Sequence, residues 1–127
     1  MKNKVVIVDS DPDCLEIFCE FFQQQGFHVI KIENIRELLN FIKLKTTDLI
    51  ITDADFLFEE NESFINFVEQ KIQKIPVLFL TEKNKLKLLK KKMIIQQNRV
   101  IEKPVHFVNL LNSVNKMLNL NKISRKK

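Results

Sequence analysis

The feature that most constrains this chain is an alternation of short apolar runs with helix-periodic segments. Val5-Val6-Ile7-Val8 is a continuous apolar run, the mark of a strand covered on both faces. Asp11-Pro12 follows; an Asp N-cap with Pro at the first helical position predicts a helix start. Leu15, Phe18, Cys19 and Phe22 then recur at i, i+3, i+4 and i+7, forming one apolar stripe. Gly26, the only glycine, stands where a C-cap would end that helix.

The same unit recurs to the end of the chain. Residues 29–32 read as a second strand, more polar and nearer an edge, and Asn34 caps a helix carrying Ile35, Leu38, Leu39 and Ile42. Leu49-Ile50-Ile51 is a third strand that ends at Asp53. A loop of Asp, Phe, Glu and Asn residues leads to a helix marked by Phe64, Phe67, Val68 and Ile72. Pro76 opens a fourth strand, 77–80, ending at Thr81, and a lysine-rich helix follows with Leu86, Leu89 and Met93 on one side. Val100-Ile101 is a short fifth strand closed by Lys103-Pro104, and Phe107, Leu110, Leu111, Val114 and Leu118 mark the last helix. Alternating βα units predict a doubly wound (βα)5 fold, flavodoxin-like, with helices on both faces of a five-stranded parallel sheet in the order 2-1-3-4-5. One domain is expected over 1–120, with 121–127 a basic flexible tail or the start of a linker.

Composition supports a packed core. Of 127 residues 45% are apolar, and eleven are Phe, the reverse of the balance that keeps chains disordered. Cys14 and Cys19 match neither a redox pair nor a zinc spacing. They read as reduced, small apolar residues, which suits a reducing compartment. No segment has the length of a secretory signal or a membrane span, so a cytoplasmic protein is expected. The net charge of +5 owes much to Lys83, Lys85, Lys87, Lys90, Lys91 and Lys92 and to the C-terminal Lys122, Arg125, Lys126 and Lys127. Without a nucleic-acid motif or interleaved aromatics, these read as a solvated helix face and terminus.

In such a sheet, ligands bind beyond the carboxyl ends of the strands. This chain puts Asp9 after strand one, Asp53 and Asp55 after strand three, Thr81 after strand four and Lys103 after strand five. Strands one and three are neighbours in the expected order, so Asp9 and Asp53 face each other. Two close carboxylates need a shared proton or a cation, and Mg²⁺ or Mn²⁺ suits oxygen ligands. An ionised Asp can form an acyl phosphate. Cations would stabilise the equatorial oxygens in that transfer, with Lys103 among them and Thr81 donating a hydrogen bond. A strand-end Asp, Thr or Lys taken singly is commonplace; His28 and His106 have no partner at ligand spacing.

Four stretches together resemble the CheY-like receiver domain of two-component response regulators: Val5-Val-Ile-Val-Asp9-Ser-Asp-Pro12, Asp48-Leu-Ile-Ile-Thr-Asp53, Ile75-Pro-Val-Leu-Phe-Leu-Thr81 and Glu102-Lys103-Pro104. The resemblance spans about residues 4–118. It implies that Asp53 is the phosphoacceptor, that Asp9 helps to hold the metal, and that the backbone carbonyl of Asp55 is a further ligand. It implies phosphoryl contacts from Thr81 and Lys103 and a cis bond before Pro104. The implied partners are a histidine kinase or phosphotransfer protein, and a downstream target or effector domain met by the fourth helix, fifth strand and fifth helix. The implied protein is a switch with at most slow self-phosphorylation and autodephosphorylation, not a classical enzyme.

The chain departs from that family at several positions. Ser10 stands where a second acidic ligand is usual and would reach the metal through a water, while Asp11 reads as the helix N-cap. Phe56, Leu57 and Phe58 replace the usual Pro and Gly. Glu82, where a small residue is usual, would modulate access, with Lys83 offsetting it, and Val100 takes the place of the switch aromatic. The alternative is a degenerate receiver that binds partners without phosphate. Asp53-Ala-Asp55 also resembles the Asp-x-Asp of haloacid-dehalogenase-type phosphatases, although that motif follows a first strand.

Overall fold

The computed structural model describes residues 2–92 and 99–126. Among them five strands, β1 (Lys4–Val8), β2 (His28–Ile32), β3 (Leu49–Asp53), β4 (Val77–Glu82) and β5 (Val100–Lys103), form one sheet. All pair in parallel, in the order β2-β1-β3-β4-β5, as the sequence predicts. The helices are α1 (Pro12–Gln24), α2 (Ile35–Leu44), α3 (Phe56–Glu59), α4 (Glu62–Ile72), α5 (Leu86–Lys92) and α6 (Phe107–Lys126). A 3₁₀ turn, Lys83–Lys85, joins β4 to α5. No helix among the described residues is long and apolar enough to cross a membrane.

The alternation of strand side chains divides the core in two. Val6, Val8, Ile50, Val77 and Phe79 pack beneath α2, α3, α4 and α5 through Leu38, Leu57, Val68 and Leu89. Val5, Ile7, Leu49, Ile51, Leu78 and Leu80 pack beneath α1 and α6 through Leu15, Cys19, Phe22, Leu110 and Val114. The edge strand β2 fully buries only Ile32, which explains its polar sequence.

The caps follow the sequence. Asp11 accepts from the N–H groups of Asp13 and Cys14, and Asn34 accepts from that of Glu37. Gly26 sits at φ +91° just beyond α1. Its N–H donates to Gln23 O and that of Phe27 to Phe22 O, the paired bonds of a Schellman ending.

Two expectations change. The segment after Asp53, expected as a loop, contains α3, because Leu57 is drawn fully into the core. In α4 the buried stripe is Ile65, Val68 and Ile72. Phe67 is 42% exposed, and the rings of Phe64 and Phe67 carry the cations of Arg36 and Lys71 at 4.4 and 5.2 Å. The backbone of α6 runs on to Lys126. Met93, expected on the stripe of the lysine-rich helix, lies outside the described residues.

Candidate functional site

Register brings the chemistry-bearing residues into one row. Val8 pairs with Thr52, so Asp9 and Asp53 follow side by side at the ends of β1 and β3. Asp53 pairs with Leu80, and Thr81 and Glu82 of β4 pair with Glu102 and Lys103 of β5. The order that interleaves β1, β3, β4 and β5 therefore gathers residues from four distant segments at one sheet edge.

The side chains then converge on Asp53. Lys103 Nζ donates to Asp53 Oδ2 at 2.8 Å, and the N–H of Asp55 donates to Asp53 Oδ1 at 2.9 Å. Asp9 is 5% exposed, and its Oδ1 accepts from the N–H of Asp11 at 2.9 Å. Thr81 is fully buried at the end of β4, and its Oγ1 has no hydrogen-bond partner among the described residues. The Lys103–Pro104 bond is cis. Ser10 is exposed and lines a cavity of about 400 Å³. That cavity is lined by Asp9, Asp53 and Asp55 and also by Glu33, Arg36 and Glu60.

Electrostatics follow from this crowding. Burial pushes the Asp9 carboxyl above its ordinary range; the Asp11 N–H draws it part of the way back, and the charge of Asp53 raises it again. Asp55 is likewise raised, by burial first and then by Asp53, against the pull of Lys85. Burial works against the Lys103 ammonium, but the hydrogen bond and charge of Asp53 outweigh it, and its pKa lies above the ordinary value. Asp11 is held below its ordinary range, chiefly by the Asp13 N–H, in keeping with its role as helix cap.

This donor set fits a hard divalent cation. Among the described residues no three His, Cys, Asp or Glu side chains converge as a metal cage. The chain would supply the Asp9 and Asp53 carboxylates and one backbone carbonyl, which suits an ion that keeps several waters. The Asp55 carbonyl already accepts from the Phe58 N–H at 3.0 Å in the turn of α3, leaving its second lone pair.

Lys85 escaped the sequence reading. Its Nζ lies 3.7 Å from Asp55 Oδ1 and 3.9 Å from Glu82 Oε2, so Lys85 stands beside Glu82 where Lys83 was expected to offset it. Nothing in a run of lysines distinguishes one that folds back over a strand end. Val100 is half-buried at the start of β5, and His28 and His106 are exposed.

The sequence matches the response regulator receiver domain family over residues 5–115. The chain belongs to that family. No curated protein matches this receiver domain in sequence. Solved structures share its fold. One is a response regulator from Thermotoga maritima, 23% identical with a TM-score of 0.71, over 94% of this chain and 99% of that one. A CheY-like receiver domain protein from Methanospirillum hungatei JF-1 is 18% identical with a TM-score of 0.80, over 98% and 99%. The signal receiver domain of an HD domain-containing protein from Pseudomonas fluorescens Pf-5 is 18% identical with a TM-score of 0.79, over 96% and 98%.

Proposed function

We propose that this receiver domain is a phosphoacceptor switch in a cytoplasmic two-component phosphorelay, with Asp53 as the acceptor. The observation that carries this reading is the hydroxyl of Thr81, buried and without a partner at the strand end beside Asp53. An unsatisfied buried donor costs about 1–3 kcal/mol. An arriving phosphoryl oxygen would satisfy it, whereas a merely structural Asp–Lys pair offers no reason for it.

In the proposed step a carboxylate oxygen of Asp53 attacks phosphorus and the donor's bond to phosphorus breaks. An aspartyl phosphate forms, and the donor leaves as neutral histidine or, from acetyl phosphate, as acetate. Asp9, Asp53 and the Asp55 carbonyl, with Ser10 behind a water, would hold a divalent cation, which would supply charge neutralisation at the phosphoryl oxygens. Lys103, already on Asp53 Oδ2, follows the negative charge onto the phosphoryl group. Thr81 donates a hydrogen bond to a phosphoryl oxygen. The partners are a histidine kinase or phosphotransfer protein upstream, and a target protein or effector domain at the face of α5, β5 and α6.

The test is intact-mass measurement after incubation with Mg²⁺ and acetyl phosphate. The wild type is expected to gain one phosphoryl group and Asp53→Asn none. Absence of a gain with acetyl phosphate, and with every histidine kinase tried, would favour the second reading, a phosphate-independent binding module. The observation behind that reading is the Asp55 carbonyl tied into α3 by Phe58.

A further inference from the structure

Lys85 leaves β4 in the 3₁₀ turn, and its ammonium is shared among three partners. Besides Asp55 at 3.7 Å and Glu82 at 3.9 Å, it lies 5.3 Å from the centre of the Phe58 ring. Asp55 lies between β3 and α3, Phe58 belongs to α3 and Glu82 to the end of β4. One cation thus ties the β3–α3 junction to the β4–α5 junction. Asp55 also lines the open cavity, whereas Glu82 and Lys85 do not. Lys92, the last residue of α5, covers the same ring at 5.8 Å. Phe58 therefore touches both ends of the segment 85–92.

The bridge is built to be weak. Its distances exceed those of a direct charged hydrogen bond; Asp55 Oδ1 is itself buried with no hydrogen-bond partner among the described residues, but the side chains of Lys85, Asp55 and Glu82 as a whole are 35%, 40% and 49% exposed. Exposed pairs of this kind contribute little and yield to competing charge. A phosphoryl group on Asp53 would replace the single carboxylate charge with about −1.5 to −2, two residues from Asp55 and more than either carboxylate of the bridge offers.

We infer that Lys85 is a charge-sensing latch, which holds Asp55, Phe58 and Glu82 together while Asp53 is unmodified and is drawn off them by a phosphoryl group. The inference rests on the phosphoacceptor reading of Asp53. Release frees Glu82 and the Phe58 ring and loosens the segment 83–92. That supplies a route from the site to α5 needing no aromatic side chain at Val100.

The test is hydrogen exchange by mass spectrometry on the full chain, with and without Mg²⁺ and excess acetyl phosphate, with intact mass read in parallel. In the wild type, phosphorylation is expected to speed exchange at 83–92 roughly two- to fivefold, the range that exposed ion pairs support. Lys85→Met should exchange at the fast level before donor is added and change no further, and Lys85→Arg should behave as wild type. Salt offers a check without mutation: raising it from about 0.05 M to about 1 M should speed exchange at 83–92 in the unmodified wild type by screening the bridge. A fully phosphorylated wild type with unchanged exchange at 83–92 overturns the latch. So does a salt-insensitive wild type, or a Lys85→Met protein as protected as wild type. A wild type that gains no mass from acetyl phosphate or from any histidine kinase tried removes the phosphoacceptor reading itself, and the latch with it.

Discussion

The Lys103 ammonium reaches Asp53 Oδ2 at 2.8 Å across 50 residues of chain. The two residues lie on β5 and β3, with β4 between them, so the contact spans two strand spacings, about 10 Å. Few side chains other than lysine combine that length with a compact charge. The ammonium meets Asp53 directly, and the charges of Asp55 and Asp9 act on it as well.

Removing that cation should therefore expose the carboxylates to one another. Lys103→Met is expected to lose about 1 kcal/mol of stability at pH 7. Because the Lys103 pKa is raised on folding, its contribution is complete below the ordinary 10.5 and is lost as pH rises through the higher folded value. Calorimetric unfolding at neutral and strongly alkaline pH checks both points: the gap between wild type and variant should close in alkali.

Asp9→Asn should act in the opposite sense. The folded pKa of Asp9 is raised, so its contribution is favourable below the ordinary 3.8 and is lost as pH rises through the folded value. At pH 7 the buried charge is a cost. Without metal, Asp9→Asn is expected to be more stable by about 1 kcal/mol. Mg²⁺ at ten times its Kd should stabilise the wild type by about 1.4 kcal/mol, reversibly with a chelator, and the variant little or not at all. With neither Trp nor Tyr in the chain, calorimetry or circular dichroism is the natural readout.

Thr81→Val separates stability from switching. It removes a buried hydroxyl that has no partner, so unmodified protein is expected to be unchanged or more stable by up to about 1 kcal/mol. The aspartyl phosphate should lose a hydrogen bond that the proposed switch depends on. Equal hydrogen-exchange responses to acetyl phosphate in variant and wild type would remove Thr81 from the switch.

Leu57→Ala tests whether α3 is a packed element. Leu57 is fully buried in the cluster with Val8, Ile50 and Leu89, and its truncation is expected to cost about 2–5 kcal/mol. A loss below 1 kcal/mol by denaturant titration would mean that the segment packs loosely.

The strands, most helices and both predicted side-chain N-caps could be read from the sequence because periodicity and capping are local. Val5 to Val8 could only be a buried run, and Asp11-Pro12 could only open a helix. The candidate site was largely legible for the same reason: Asp9, Asp53, Thr81 and Lys103 each end a strand, and a parallel sheet sets such ends in one row. The short helix α3 was not legible, since four residues rich in Phe carry too little pattern to separate a loop from a turn pulled inward by Leu57. Phe67 looked like core by spacing, yet the sheet was already covered by Ile65 and Val68. Lys85 was invisible among its neighbouring lysines. Strand order by itself cannot tell which of several long, flexible side chains folds back; that depends on where Asp55, Glu82 and Phe58 come to lie in space. Sequence alone determined the alternating architecture and which residues stand at the strand ends of the candidate site. Only tertiary packing decided which cation closes its rim, because that contact is fixed by geometry between segments and not by pattern within any one of them.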